Sequence, residues 1–339
     1  MNKVFCFGEI LLRMSPALQG EWLRKSAMDL YLGGSELNVA AALARWKIPA
    51  KYFTAMPENY LSGEIVKELS ERNIDTSAIH LSGERIGIYF LPQGADLKHK
   101  GVIYDRAHSS FSECRTGMID WDRALEGVSW FHFSAVSPAL GKETFSFCRE
   151  ALEAAVKKRI TISVDLNYRA RLWQNSGQSA GTMGELAFYC DVIMGNIWSA
   201  HVLLGVEPDP ALQEKSKKED YLDHALKTCD AIYKKFPQCK TIANTFRFDH
   251  GQSGIQYYAA LFRNNEYYVS EEFIAENIVD KVGTGDCFMA GLIYGLYHDH
   301  TPKEIINFAA AAAVGKFYEL GDITKQDIAA IQSRIKKHG

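Results

Sequence analysis

Several things are missing from this 339-residue chain, and each absence removes a class of answer. No Gly-x-x-x-x-Gly-Lys-[Ser/Thr] run occurs, which excludes a P-loop. The seven cysteines are scattered and odd in number, without a Cys-x-x-Cys pair. That is neither a disulfide framework nor a zinc site, and it reads as reduced thiols in a cytoplasmic protein. No apolar run is long enough to span a bilayer, and the one at residues 4–7 is too short for a signal-peptide core. Neither sign of charge dominates: 38 Lys and Arg against 41 Asp and Glu leave a net charge of −3, which argues against nucleic acid as a partner. No repeat, low-complexity tract or Pro/Gly/Ser linker divides the chain, so residues 1–339 are read as a single domain.

What is present gathers around Asp280-Lys281-Val282-Gly283-Thr284-Gly285-Asp286-Cys287-Phe288-Met289-Ala290-Gly291. Phe288, Leu292, Ile293, Leu296 and Tyr297 recur at helical spacing, which predicts a helix beginning close to Asp286. Glycines at a helix entry let the backbone turn sharply and approach a ligand. The unpaired amides of a first helical turn, aided by the helix dipole, hold an anion. Asp286 in that turn is placed to take a proton from a hydroxyl. An anion hole beside a base is what phosphoryl transfer to an alcohol requires. An N-capping aspartate after a Gly-rich turn explains the same spacing, and on spacing alone the two readings stand level. A full dinucleotide fingerprint is absent, because Phe288 stands where the third glycine belongs.

The stretch resembles the C-terminal signature of the ribokinase-like (PfkB) carbohydrate kinases, Asp-Thr-x-Gly-Ala-Gly-Asp-x-Phe. Lys281 and Val282 replace the usual small polar pair, and Thr284 replaces alanine. Thr284 keeps its backbone N–H, so an anion hole of Gly283, Thr284 and Gly285 is expected to survive. The resemblance implies a three-layer α/β/α fold with a mainly parallel central sheet and a small β lid. It also implies ATP and Mg2+ as cofactors, and a monovalent-cation site, for K+ or a similar ion, shaped by Asp280. Gly33-Gly34-Ser35-Glu36-Leu37-Asn38, ahead of an Ala-rich helix over 39–46, is similar to the family's N-terminal substrate motif. By that likeness Gly33, Gly34 and Asn38 meet sugar hydroxyls, while Ser35 reads as an N-cap. Glu9, just past a first strand at 4–7, is read as a solvated loop charge rather than a ligand contact.

Two β-rich runs at 86–91 and 102–104, with Gln93-Gly94-Ala95-Asp96 as a turn between them, interrupt the αβ alternation. Together with the resemblance, which implies the first segment, they predict a lid inserted at about 10–30 and 83–112. Gly87-x-Tyr89-Phe90 and Tyr104-Asp105-Arg106-Ala107 look like the 2-keto-3-deoxygluconate kinase branch of the family. There the residues matching Tyr89, Tyr104 and Arg106 bind the keto-acid's carboxylate and hydroxyl end. From 128 the alternation resumes: strands at 130–133, 161–164 and 191–194, and a helix over 142–157. Asp165-Leu166-Asn167-Tyr168-Arg169 follows a strand, at the sheet edge where open α/β proteins bind ligands. It resembles the same branch, in which the arginine lies between substrate and transferring phosphate. Arg169 is therefore expected to neutralise transition-state charge rather than pair with Asp165, and Asn167 to face the nucleotide.

The family pattern Asn-x-x-Glu appears as Asn196-Ile197-Trp198-Ser199, without the glutamate that helps organise magnesium. Magnesium carried by ATP phosphates and water remains workable, since that ion dehydrates reluctantly. Thr245 and Arg247, in a loop expected after a strand at 241–243, are candidate phosphate contacts, as is Asn196. A mixed-charge run at 214–219 reads as a solvated loop or helix end. The small-residue helix at 307–317 borders the adenine pocket in the family, although tight helix packing explains its alanines equally well. Lys336-Lys337-His338 reads as a frayed basic tail.

The function expected is ATP-dependent phosphorylation of a sugar-acid hydroxyl, 2-keto-3-deoxy-D-gluconate at its terminal alcohol being the first choice. Asp286 is the base; Gly283, Thr284 and Gly285 hold the developing charge; Arg169 bridges phosphate and substrate. Alternatives are a kinase for a neutral sugar or a nucleoside, a non-catalytic binder descended from a kinase, and, more distantly, a dehydrogenase. An exposed β lid suggests a dimer by edge pairing.

Overall fold

The computed structural model describes residues 2–16, 22–24, 27–92, 102–175, 180–207, 212 and 217–338. The turn expected at 93–96 and residues 214–216 of the mixed-charge run lie outside them. The sequence alternates strand and helix along most of its length, and the strands assemble into one ten-stranded sheet. Its order is Glu266–Val269, Gly254–Arg263, Thr241–His250, Val192–Gly195, Thr161–Asp165, Val128–Ser134, Lys3–Phe7, Ala50–Phe53 and Ile74–Asp75, with Phe273–Ala275 also paired to Gly254–Arg263. Thr241–His250 and the strands after it in this order are parallel to one another; the C-terminal hairpins run antiparallel. Lys3–Phe7 pairs with Ala50–Phe53 on one side and Val128–Ser134 on the other. The chain therefore reverses its direction of progress across the sheet there, opening a crevice at the strands' carboxyl ends.

Burial on both faces explains the apolar strands. Val4 and Cys6 point into one core with the helices Ser35–Arg45, Thr284–Tyr297 and Pro302–Lys316. Phe5 and Phe7 point into the other, packed among Phe53, Phe131 and Phe147. The alternation follows from the two-residue period of a strand. Small residues in the last two helices allow close approach: a Cβ on Gly291 would stand 2.7 Å from Ala309 Cα, and one on Gly295 2.8 Å from Ile305 Cγ1. Thr301 and Glu304 form a capping box at the start of the second, with Pro302 at its first position.

A second, four-stranded sheet has the order Asp29–Gly33, Leu11–Ser15, Gly87–Phe90, Ile103–Asp105. This is the expected lid, its first segment continuing to Gly33 and then directly into helix Ser35–Arg45. Two expectations are corrected. Thr241–His250 is one long strand, so Thr245 and Arg247 stand on a strand rather than a loop. It extends because residues 241–250 pair along their whole length with Gly254–Arg263. The basic tail is not frayed: Ile328–His338 is a helix. Ile331 is buried beside Ile328 and Ile335, and Arg334 donates to the Ala311 carbonyl at 2.9 Å. An apolar stripe at helical spacing outweighs the terminal lysines.

Candidate active site

Helix Thr284–Tyr297 aims its N-terminus into the crevice. Gly283 caps it in the left-handed region, φ 76°, and a Cβ there would run into the Asp322 carbonyl, so only glycine fits this turn. The amides of Thr284, Gly285 and Asp286 belong to the first turn and have no intrahelical acceptor. Asp286 is buried, with Oδ1 accepting from Ser35 Oγ at 2.6 Å and Oδ2 from Asn38 Nδ2 at 2.7 Å. Ser35 and Asn38 lie one turn apart at the start of their own helix, so two helix N-termini converge on one carboxylate. Burial raises the Asp286 pKa; the Asn38 and Ser35 donors, and then Arg169 and Lys316, oppose that rise. Ser35 is thus not the N-cap. Gly34 is, at φ 127°, because a Cβ there would strike the Glu9 carbonyl. The freed serine hydroxyl also accepts from Asn167 Nδ2 at 3.0 Å, giving the series Asn167, Ser35, Asp286. Asn38 Oδ1 is buried with no protein partner among the described residues, and Asn38 borders the cavity.

Around this carboxylate stand two more. Asp165 accepts from the Asn167 amide at 2.9 Å, and burial followed by the charge of Asp286 pushes it up to about 7. Glu36 is buried one residue beyond Ser35 and is likewise pushed up to about 7 by burial, although Ser134 donates to it through N (2.9 Å) and Oγ (2.6 Å). Arg169 is half-buried on the cavity wall and forms no ion pair with Asp165; its Nη1 donates to the Tyr168 carbonyl at 3.2 Å. The guanidinium is left facing the crevice as a cation beside two acids.

The lid closes one side. Tyr31, Arg13, Tyr89 and Tyr104 pair across its four strands in a single row, so all four share the inner face. Tyr89 and Tyr104 line the cavity with Arg106 and Gly34. Gly33 does not line it; its Cα faces the Asp322 carboxylate. Tyr89 donates its hydroxyl to Asp322. Glu9, expected in solvent, is buried instead: Arg106 donates Nε to its Oε2 at 2.6 Å, Nη2 pairs with the same oxygen, and Ser109 donates to Oε1. A buried arginine needs a counter-charge, and the carboxylate that supplies it is the one just beyond the first strand. Arg106 Nη1 has no protein acceptor among the described residues, and the residue borders the cavity. Asp280 is fully buried; Arg13 Nη2 donates to it at 2.8 Å and the Val282 amide at 3.2 Å. Arg13 Nε sits 2.9 Å from Asp322 Oδ1, an ion pair without hydrogen-bond alignment.

At the other end the wall is Asn196, Trp198, Ser199, Thr245, Arg247, Phe248 and Tyr257. Asn196 caps helix Ile197–Leu204, its Oδ1 accepting from Ser199 N (2.8 Å) and Oγ (3.0 Å). Thr245 and Arg247, two apart on one strand, face the same way, with Phe246 buried behind them. No residue of Pro302–Lys316 lines this cavity; its alanines pack in the core beside Thr284–Tyr297.

The profile of the pfkB family carbohydrate kinases matches residues 1–327. The chain belongs to this family. A 2-dehydro-3-deoxygluconokinase from Thermotoga maritima has a crystal structure similar to this pfkB kinase over 99% of this chain and 100% of that one, with TM-score 0.88 and 34% identity. A 2-dehydro-3-deoxygalactonokinase of Haloferax volcanii is 24% identical over 318 residues, covering 94% of this chain and 91% of the relative. A 2-dehydro-3-deoxygluconokinase of Bacillus subtilis is 24% identical over 341 residues, covering 96% and 94%.

Membership in a kinase family carries with it the use of ATP and magnesium. Among the described residues no three His, Cys, Asp or Glu side chains gather to hold a metal ion. Ser199, where the family pattern has glutamate, gives its hydroxyl to Asn196. The donor set of this pfkB chain thus fits a magnesium carried by the nucleotide's phosphates and water, not a cage of side chains. Sequence reading missed Ser35, Glu36, Asp165 and Asp322 as parts of the site. Ser35 and Glu36 lay inside a quoted motif, and the three-residue step from Ser35 to Asn38 was the signal that both point the same way.

Proposed function

We propose that this kinase phosphorylates a 2-keto-3-deoxy sugar acid, 2-keto-3-deoxygluconate in the first instance, on its terminal hydroxyl. The observation that carries the reading is Arg106: a buried guanidinium with two nitrogens fixed by Glu9, a third left to the cavity, and Tyr89 and Tyr104 beside it. A neutral sugar has no use for that cation, whereas a carboxylate pairs with it. The names of the relatives from Thermotoga, Haloferax and Bacillus point to the same substrate class.

In this reading the acid's carboxylate lies against Arg106 and its hydroxyls meet Gly34 and the unpartnered Asn38 Oδ1. The terminal hydroxyl reaches Asp286, which takes its proton as the oxygen attacks the γ-phosphate. Ser35 and Asn38 hold that carboxylate in orientation. The amides of Gly283, Thr284 and Gly285 and the Arg169 guanidinium meet the charge on the transferring phosphoryl group. Asn167, Asn196, Thr245 and Arg247 line the way to the nucleotide, which carries its magnesium; the ion's part is to draw charge off the phosphates. One kinase domain with its lid performs the reaction, working as a dimer in a reducing compartment such as the cytoplasm. All seven thiols are free and buried, which supports that compartment.

The test is ADP release with ATP and magnesium over 2-keto-3-deoxygluconate, 2-keto-3-deoxygalactonate, gluconate, fructose, ribose and adenosine. Fast turnover on a keto-deoxy acid, lost in Asp286→Asn, is expected, and the ranking of the two epimers names the substrate. Turnover confined to fructose, ribose or adenosine overturns the role of Arg106.

A further inference from the structure

The free cation expected beside Asp280 has a rival inside the chain. Asp280 and Asp322 are both buried, and Arg13 bridges them. The second cation there is Lys316, on the last turn of Pro302–Lys316 and without exposed surface. Its Nζ donates to the carbonyls of Gly321 at 2.7 Å and Glu319 at 3.0 Å. Asp280, Glu319 and Asp322 all act to keep it charged against the burial that lowers its pKa.

The position of that ammonium matters. The loop after the helix folds back over it, and the Phe317 carbonyl accepts from the amides of Val279 (2.8 Å) and Asp280 (3.2 Å). A Cβ on Gly283 would lie 3.4 Å from Lys316 Cε and would strike the Asp322 carbonyl. Lys316 therefore occupies the seam between residues 317–322 and the loop that forms the anion hole. A potassium ion in such a seam would be held by carbonyl oxygens and a carboxylate. An ammonium brings the same single charge and three donors for those oxygens. The two buried carboxylates, Asp280 and Asp322, already face two resident cations, Arg13 and Lys316, whereas Glu319 is only half-buried, so one more ion would add an unbalanced charge to the dry part of the site.

We infer that Lys316 is a tethered monovalent cation, its ammonium fixing the anion-hole loop against residues 317–322 so that phosphoryl transfer needs no free potassium. The residues around Asp280 do not fit an added ion, contrary to what the family resemblance implied. Only the activity arm of the test rests on the keto-acid reading; thermal unfolding does not.

In tetramethylammonium buffer the wild type is expected to turn over as fast as with K+, and its Tm to be indifferent to K+. Lys316→Ala removes volume and charge together. Without K+ it is expected to lose about tenfold or more in kcat, as when an anion hole is disordered. Adding K+ or NH4+ should restore most of that loss and raise the variant's Tm, a rescue that a merely structural lysine would not give. The inference is overturned if K+ raises the wild type's rate or Tm. It is also overturned if the folded variant matches wild type without cations, or if no monovalent cation restores it. Should Lys316→Ala fail to fold in any salt, the wild-type comparison decides alone, in the same two directions. Should no acceptor in the panel be turned over, the paired Tm measurements still decide, so failure of the substrate reading is not mistaken for failure of this one.

Discussion

Asp286 concentrates the chemistry of single residues. Its two oxygens accept from Ser35 and Asn38, so Asp286→Asn keeps the shape but removes the proton acceptor and turns an NH2 toward one of those two donors. The kcat for ADP release is expected to fall by about 10³, within the range of a lost general base. Because burial raises the Asp286 pKa, the acid limb of the rate profile should lie above the ordinary aspartate range. Activity should be lost as pH falls through that raised value. An acid limb at about 4 would show that the carboxylate is solvated in the working enzyme. Glu36 gives a separate, thermodynamic signature. For an acid whose folded pKa exceeds its unfolded one, stabilisation is present below the unfolded value and lost as pH climbs through the folded one. Glu36 rises from 4.5 to about 7, so wild type should lose Tm relative to Glu36→Gln across that window. A difference between the two that stays flat from pH 4.5 to 7 would sink the assignment. None of this was legible in the sequence, where Glu36 was one letter between Ser35 and Leu37. Its burial comes from a contact across 98 residues with Ser134, and local patterning carries no record of that.

At the scale of elements, the helix entry was legible and its partners were not. The glycines at 283 and 285 and the apolar spacing after Asp286 announced the helix, because those constraints are local. Gly283→Ala places a Cβ at φ 76° against the Asp322 backbone, and the turn must open. A loss of about 10²-fold in kcat is expected, the size of a damaged oxyanion hole, together with a lower Tm. Unchanged kcat would mean that the first-turn amides do not hold the phosphoryl group. The lid shows the opposite case. Two of its four strands were predicted from β-rich runs, but the placing of Glu9 behind Arg106 depends on how lid and main sheet meet. Arg106→Ala should raise KM for the keto-acid by about tenfold or more while ATP binding holds, as expected for a lost charge-assisted pair. Glu9→Gln should move KM in the same direction by less. Equal KM in wild type and Arg106→Ala would take the carboxylate away from the lid.

At the scale of the whole molecule, the described residues leave a face of the lid that the monomer does not explain. Leu30, Met14, Phe90 and Ile103 pair across the four lid strands in one row, on the face opposite Tyr31, Arg13, Tyr89 and Tyr104. The inner row faces the cleft, whereas Leu30 and Ile103 in the outer row are 52% and 48% exposed. Sheets with one wet face normally carry polar residues there; Trp22 stacks on Phe90, and the exposed ends of the row, Leu30 and Ile103, still call for a cover. Among the described residues, both edge strands of the lid, Asp29–Gly33 and Ile103–Asp105, also have an unpaired side. The sequence showed two β-rich runs but not which residues share a face, since that depends on register between strands far apart in the chain. A second copy laid lid to lid would cover the row and hold the inner face in place over the substrate. Ile103→Glu puts a charge into the exposed end of that row and should convert a dimer to a monomer in light scattering at micromolar concentration. Because the inner row carries Tyr89 and Tyr104, the monomer should also show a raised KM for the acid, with kcat changed less. If wild type is itself monomeric at assay concentration, the lid is covered by something other than its own copy. If Ile103→Glu stays dimeric, the copies meet elsewhere.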